Sequence, residues 1–213
     1  MTYDAEATRQ RIFQAATAEF AEHGLAGARI DRIAAAARAN KQAIYLYFGG
    51  KEKLFGAVVR AKMDEICHTL SLDPRTLPEA VGQLYDWYEE HPELIRLLLW
   101  EALEAGRQVE GEEERRESYR GHVDGLLAAG LPDRARAQDW LFTILGLVAW
   151  NFAVPQVRRL ILDEPDTERA VARRREVVVE LAGVLAERMT AATSRGPERF
   201  GTESGVNGVL PGQ

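Results

Sequence analysis

The sequence has little of what secreted or membrane proteins need. Its only cysteine is Cys67, so no disulfide can form within the chain and nothing requires an oxidising compartment. The first residues, MTYDAEATRQ, are polar and lack the apolar segment of a secretory signal. No run approaches 18 apolar residues, because Thr143, Asn151 and Pro155 interrupt the most apolar stretch. We therefore expect a cytoplasmic protein that does not enter a membrane.

Lysine is also scarce, and charge is distributed unevenly. The net charge of -6 argues against a protein that coats nucleic acid without selectivity. Residues 1–60, however, carry nine Lys and Arg against six Asp and Glu, whereas residues 61–213 carry eighteen against twenty-seven. All four lysines, Lys41, Lys51, Lys53 and Lys62, lie in or beside the basic part. A cationic amino-terminal region therefore precedes an acidic remainder.

Strand patterns, internal repeats and low-complexity blocks are missing, and apolar residues instead recur at helical spacing. The pattern predicts an all-α protein of about nine helices, the first of which ends at Gly24. We divide the chain into an amino-terminal helix-turn-helix domain at residues 1–50 and a larger helical domain at residues 51–193. Residues 194–213 are rich in Gly, Pro and polar residues and are predicted to be a flexible tail.

Two further stretches have a distinctive composition. Residues 134–153 are apolar on almost every side, which predicts a helix buried between two neighbours. The acidic run Glu112, Glu113 and Glu114 is predicted to be a solvated connection or the frayed start of the next helix.

Residues 29–54 contain the most informative pattern. A helix predicted at residues 29–37 is followed by the turn Arg38, Ala39 and Asn40 and by a helix at Lys41–Phe48. Three short helices with a tight turn between the last two are typical of the helix-turn-helix, whose last helix enters the major groove. Helical spacing alone is equally compatible with a plain helical subdomain. The side chains favour DNA binding, because groups suited to phosphates and bases lie together outside the expected core: Lys41, Gln42, Tyr45, Tyr47 and Lys51.

The run AxxDRIAxxA followed by NKQAIYLYFGGKEKLF resembles the amino-terminal domain of the TetR family of transcriptional regulators. The resemblance covers residues 12–55, and its most specific part is IYLYFGGKEKL. The family usually has Gly in the turn and Ser or Thr at the start of the second helix. Here Ala39 or Asn40 and Ala28 or Arg29 stand at those places, and Gly50 replaces the usual capping residue before Lys51.

The resemblance implies a homodimeric, ligand-responsive repressor that binds a pseudo-palindromic double-stranded DNA operator and is released by a small molecule. It places bases against Lys41, Gln42, Ala43 and Leu46, and the DNA backbone against Tyr45, Tyr47 and Lys51; Arg29 is a further candidate DNA contact. It also implies that the last two long helices pair with their mates in a four-helix bundle. The candidate dimer contacts are Leu141, Leu145, Val148, Val178, Leu181 and Leu185. The alternative is a helical ligand-binding or protein-interaction module without sequence-specific DNA binding.

The larger domain contains aromatic and polar residues that would suit a mostly apolar pocket for an apolar or aromatic effector. Each of them is equally explained as part of a helical core or its surface. The candidate pocket residues are His68, Trp87, Tyr88, Trp100, Glu104, Tyr119, His122, Trp150 and Asn151.

Catalytic patterns are missing from the sequence. No Ser-His-Asp set, Gly-rich phosphate loop or paired-carboxylate site is legible. His68 and His122 lack further ligands at metal-binding spacing. We therefore predict a protein that is not an enzyme and that uses neither a metal nor another cofactor.

Overall fold

The computed structural model describes residues 2–67, 72–106, 109–164 and 167–194. Within these ranges the chain forms ten α-helices, a 3₁₀ turn at Pro74–Thr76 and no strand. The helices are α1 (Thr2–Gly27), α2 (Ile30–Ala36), α3 (Lys41–Phe48), α4 (Lys51–Cys67), α5 (Leu77–Glu90), α6 (Glu93–Glu104), α7 (Glu112–Ala128), α8 (Arg134–Ala153), α9 (Pro155–Leu162) and α10 (Thr167–Ser194). The all-α class is confirmed, with ten helices where about nine were predicted. The predicted tail lies outside the described residues from residue 195 onwards, and the division near residue 50 stays a prediction.

Helix α1 is the support on which the amino-terminal helices pack. Ile12, Ala16 and Phe20 recur every four residues on one side of it and are fully buried. The ring of Phe20 meets the ring of Phe55 in α4 edge to face, with centroids 5.1 Å apart. Helices α2, α3, α4 and α6 all contact α1, so this one helix joins the helix-turn-helix to the rest of the chain.

A break at Gly24 interrupts α1 near its end. Its backbone has φ 70° and ψ −177°, a combination that is essentially restricted to glycine. The predicted stop at Gly24 is therefore a real break, but a last helical turn follows it to Gly27.

Helix α2 is held at both ends by uncommon means. It begins at Ile30, and Arg29 before it gives no side-chain cap. Instead the carboxylate of Glu19, from α1, accepts a hydrogen bond from the Arg29 amide at 2.8 Å and another from Arg32 Nε at 2.7 Å. At the other end Arg38 takes the left-handed position with φ 51°, and the Ala39 amide donates to the Ala34 carbonyl. The turn thus forms without the usual glycine.

The larger half of the chain is built around α5 and α8. Helix α5 packs against α10 and α8, while α7 packs against α8. Tyr85 is fully buried at this junction, donates from its hydroxyl to the Val171 carbonyl at 3.2 Å, and meets the Phe152 ring at 4.8 Å. The buried apolar side chains form one cluster that extends from α1 to α10.

Of the two alternatives for Glu112, Glu113 and Glu114, the start of a helix is confirmed and the solvated connection is wrong. These residues form the first turn of α7, where negative charge is favoured by the helix dipole. The next residue, Arg115, is buried against Glu101 of α6.

Helix α8 has the predicted bounds but only one covered side. Ala137, Ile144 and Val148 are fully buried, whereas Phe142 is 82% and Trp150 is 63% exposed. Neighbouring helices of the chain therefore cover only one side of α8, and the predicted burial of this helix on every side is wrong for the chain by itself.

Among the described residues no single helix is long and apolar enough to cross a membrane, although α8 and α9 together have sufficient length and apolar composition and are bent by 83° at their junction.

Candidate functional site

Helix α3 is short but well delimited. The side chain of Asn40 caps its start, with Oδ1 accepting from the Ala43 amide at 2.7 Å. Gly49 ends it in the left-handed conformation with φ 81°, and its amide donates to the Tyr45 carbonyl at 2.9 Å. Ile44 is fully buried against the preceding helices. These contacts fix which side of α3 is presented outward.

The outer face of α3 consists of Lys41, Gln42, Tyr45 and Leu46. All four side chains are exposed, and Leu46 reaches 79%. The aliphatic side chain of Leu46 gains nothing from contact with water, whereas a thymine methyl group in the major groove is a suitable partner for it. The face thus combines donors, an acceptor and an apolar contact, which are the groups needed to distinguish base pairs.

Of the other four candidate DNA contacts, three are partly buried and one is exposed. Ala43 and Tyr47 are half-buried against the core. Arg29 is exposed between α1 and α2. Lys51 Nζ lies 3.4 Å from the Ala28 carbonyl and 3.5 Å from the Ala26 carbonyl. Lys51 therefore ties the start of α4 to the end of α1.

Glu19 holds the start of α2 against α1. Burial by itself would raise the pKa of Glu19, but the hydrogen bonds from Arg32 and from the Arg29 amide, together with the charge of Arg32, lower this pKa below its ordinary value. The carboxylate is therefore ionised near neutral pH and can hold both partners.

A groove of about 910 Å³ opens between α4, α6, α7 and α8. Its floor is apolar and mostly buried, and is formed by Met63, Ile66, Leu94, Leu98, Val123, Leu141 and Leu145. Its rim contains charged and polar side chains of α7 and α8, among them Arg116, Arg120, Asp124, Arg134 and Gln138. An apolar floor below a polar rim is suited to a mostly apolar small molecule with a few polar groups.

The groove includes only part of the predicted pocket. Tyr88 and Tyr119 line it. His122 lines a separate cleft of about 390 Å³, where burial lowers its pKa. Trp87 instead meets Tyr88 edge to face and packs against His91, and Trp150 is on the outer surface. His68 lies outside the described residues.

Asn151 is occupied inside the larger domain. Its amide donates to the Leu147 and Val148 carbonyls, and its Oδ1 accepts from Arg174 Nε at 2.7 Å. It therefore joins α8 to α10 rather than facing the groove.

Trp100 and Glu104 join α6 to α1 at the break in α1. Glu104 Oε2 accepts from the Ala26 amide at 2.9 Å, and Trp100 Nε1 donates to the Ala21 carbonyl at 3.4 Å. A Cβ atom at Gly24 would lie 2.8 Å from both side chains. We call this contact of Trp100 and Glu104 with residues 21–26 the α1–α6 junction. No local pattern predicts this junction, since the bonded residues are 78 and 79 positions apart.

Three of the six predicted dimer contacts have side chains that face the core of the chain. Leu141, Val148 and Val178 are buried within the chain, so they cannot contact a partner without repacking the core. Leu145 and Leu185 are half-buried, while Leu181 is 40% exposed. The apolar residues left exposed nearby are Trp150, Leu160, Ile161, Val177, Leu181 and Val184.

In the part of the chain that the structure describes, no three His, Cys, Asp or Glu side chains are arranged to hold a metal ion.

Comparison with known proteins identifies both halves of the chain. Residues 12–58 match the family model described as bacterial regulatory proteins of the tetR family, and residues 76–183 match that of the tetracyclin repressor-like C-terminal domain. The chain is 45% identical over 168 residues to the HTH-type transcriptional repressor SCO4008 of Streptomyces coelicolor, covering 76% of this chain and 88% of that protein. It is 35% identical over 130 residues to the HTH-type transcriptional repressor NicS of Pseudomonas putida, covering 58% and 61%.

Solved structures agree with these sequence relationships. The transcriptional regulator SCO4942 from Streptomyces coelicolor superposes with a TM-score of 0.69 at 32% identity, over 84% of this chain and 97% of that one. The relatives are named for a regulatory role, which is not enzymatic. With a DNA-binding helix-turn-helix, a helical second domain and these relatives, the chain belongs to the TetR family of ligand-responsive, helix-turn-helix transcriptional repressors.

Proposed function

We propose that this chain represses transcription by placing α3 in the major groove of an operator half-site, and that an apolar small molecule in the groove between α4, α6, α7 and α8 releases it. The outer face of α3 is the observation that carries the proposal. Its side chains suit base edges, and its capped ends hold it as a rigid reading element.

The contacts divide into two groups. Lys41, Gln42 and Leu46 lie on the exposed side and would contact bases, with Ala43 close behind them. Tyr45, Tyr47, Lys51 and Arg29 would contact the DNA backbone, which positions the protein without selecting a sequence. The amides at the start of α4, beside Lys51, are also available to a phosphate.

The position of the groove supports release by an effector. Its floor includes Met63 and Ile66 of α4 and Leu94 and Leu98 of α6. Only two residues separate α3 from α4, and α6 is bonded to α1 through the α1–α6 junction. A ligand that separates these helices would therefore move α3 through both connections. For an almost complete switch, its affinity for the DNA-incompetent state must be greater by about 5.5 kcal/mol.

A homodimer would match the two halves of a pseudo-palindrome. The exposed apolar residues of α8, α9 and α10 support a dimer surface on this side, in which Leu181 is joined by Val177 and Val184 rather than by the buried Val178. The two α3 helices would then enter major grooves about one DNA turn apart. Because its target would be DNA inside the cell, the protein would act in the cytoplasm.

Selection of DNA from a random pool with the purified protein tests this function. We expect a two-fold symmetric consensus, because a symmetric dimer places identical α3 helices on both half-sites. Recovery of unrelated sequences, or of a consensus without symmetry, would contradict the proposal.

Gln42→Ala and Lys51→Ala should affect operator binding differently. Gln42→Ala should chiefly change the preferred base at one position of each half-site. Lys51→Ala should weaken binding to every sequence and reduce the slope of log affinity against log salt by about one unit. Fluorescence anisotropy on selected and scrambled DNA at several salt concentrations measures both effects. Arg60→Ala removes a cation farther along α4 and should change neither; equal weakening by the first two variants on both DNAs would refute the assigned roles.

Gly146→Phe should block the groove. Gly146 lines it, and a Cβ atom there would meet nothing within 4 Å, so a phenyl group can enter the space without displacing the helix. We expect the affinity for Nile red, an apolar fluorescent dye, to fall by about tenfold or more, the equivalent of about 1.4 kcal/mol. Gly125→Phe makes the same change beside the separate cleft and should retain the dye. Equal dye affinity in both variants would place binding elsewhere.

A further inference from the structure

An ion pair joins α2 to α3 at the edge of the outer face of α3. Asp31 lies in the first turn of α2, and Lys41 is the first residue of α3. The Lys41 ammonium contacts the Asp31 carboxylate, although the two side chains are 59% and 53% exposed. The hydrogen bond from Lys41 lowers the pKa of Asp31, so the carboxylate is ionised near neutral pH and acts only as an acceptor.

Stability gives little reason for this pair. Ion pairs between exposed side chains are screened by water and salt and contribute little to folding. A carboxylate beside the outer face of α3 is also unfavourable for general DNA affinity, since it faces phosphates of the same charge. The helix dipole favours an acid in the first turn of α2, but it gives no reason to pair that acid with Lys41 at the edge of the outer face of α3. A role in selecting bases accounts for the pairing.

The pair presents one donor and one acceptor side by side. In the major groove, guanine offers the acceptors O6 and N7, and its partner cytosine offers the N4 amino donor. Lysine commonly donates to guanine, and aspartate accepts from cytosine N4. With Lys41 over the purine and Asp31 over the pyrimidine, an A·T pair would set the adenine amino group against the ammonium and thymine O4 against the carboxylate. Donor would then meet donor and acceptor would meet acceptor, so an A·T pair is disfavoured.

We propose that Asp31 and Lys41 together read one G·C base pair in each operator half-site. Lys41 Nζ donates to guanine O6 and N7, and the Asp31 carboxylate accepts from cytosine N4. In the free protein the two side chains hold each other near the geometry that the base pair requires. The assignment rests on the proposed function, because it needs α3 in the major groove.

Selection from a random DNA pool with the full chain and three variants tests the assignment. The wild type should yield a G·C pair at one fixed position in each half-site, preferred over A·T by about 10- to 100-fold. Asp31→Ala and Lys41→Ala should each reduce this preference to below about threefold while the remaining consensus is kept. Glu22→Gln removes one negative charge from the exposed surface of α1 and should keep the full consensus, which separates base reading from a general change in charge.

The outcomes separate this assignment from the proposed function. A symmetric wild-type consensus that Asp31→Ala leaves unchanged, or one without a fixed G·C pair, overturns the reading by Asp31 and Lys41 alone. Loss of the whole consensus in a folded Asp31→Ala protein also overturns it, since the effect would then not be confined to one base pair. Failure of the wild type to select any consensus overturns the assignment together with the proposed function. Circular dichroism establishes that each variant is folded.

Discussion

Glu101→Ala is expected to reduce the free energy of unfolding by about 3–5 kcal/mol, since it leaves a buried guanidinium group without its counter-charge. Arg115 Nη1 and Nη2 donate to the two carboxylate oxygens of Glu101 at 2.7 and 2.8 Å. Both residues are buried, at 7% and 8% exposure. Arg115 Nε already lacks a hydrogen-bond partner among the described residues, so the substitution would also remove the acceptors of Nη1 and Nη2. Urea unfolding followed by circular dichroism measures the change.

The double variant Glu101→Leu with Arg115→Met is the control. It removes both charges and fills similar space, so most of the lost stability should return. A loss below about 1 kcal/mol in Glu101→Ala would show that water reaches the guanidinium group and that the pair behaves like one on the surface. Because the pair joins α6 to α7, two walls of the groove, we also expect Glu101→Ala to weaken Nile red binding.

Gly24→Ala is expected to cost about 1–3 kcal/mol of stability through backbone strain alone, because its φ and ψ are essentially restricted to glycine. The added methyl group would also press on the α1–α6 junction, where it would lie 2.8 Å from Trp100 and Glu104. Operator affinity should fall as well, since α6 must then move away from the helix that supports α3. Urea unfolding and fluorescence anisotropy on the selected operator measure the two effects.

Gly121→Ala is the matched control for this change. Gly121 lies within α7, where an added Cβ atom would meet nothing within 4 Å. The substitution should raise stability by up to about 1 kcal/mol, because alanine favours a helix more than glycine does. If Gly24→Ala were as harmless, α1 would have to accommodate a straight helix at this point, contrary to the structure.

The sequence predicted the helix-turn-helix well because its signals are local. Asn40 and Gly49 mark the two ends of α3, and the spacing of Ile44 and Phe48 indicates which side is inward. The turn at Arg38 shows the limit of such signals, since the usual glycine is missing while the left-handed conformation is retained.

The groove and the buried ion pair could not be predicted in the same way. Aromatic residues indicated a pocket, yet Trp100 packs between two helices, while the groove floor uses aliphatic residues such as Leu98 that resemble any core position. Arg115 follows an acidic run typical of solvent-exposed helices, and its partner Glu101 lies 14 residues earlier. Their burial is decided by the contact of α6 with α7, which no local pattern reports.

Three of the predicted dimer contacts, Leu141, Val148 and Val178, are buried within the chain for a related reason. Helix α10 carries apolar residues on two sides, and Val177 and Val178 are adjacent in sequence but lie on different sides. Periodicity shows that a helix has apolar faces, but it does not show which one the chain covers itself.

The α1–α6 junction limits which amino-terminal domains of related regulators can be joined to the remainder of this chain. A chimera that joins the first 50 residues of a related regulator to the remainder of this chain would bring a foreign surface to Trp100 and Glu104. Unless that surface also offered a glycine break and a free amide, the hybrid would fold with a displaced α6 and respond poorly to its effector. Gly24, Trp100 and Glu104 would therefore have to be kept together in any such chimera, although they lie on opposite sides of the expected domain boundary.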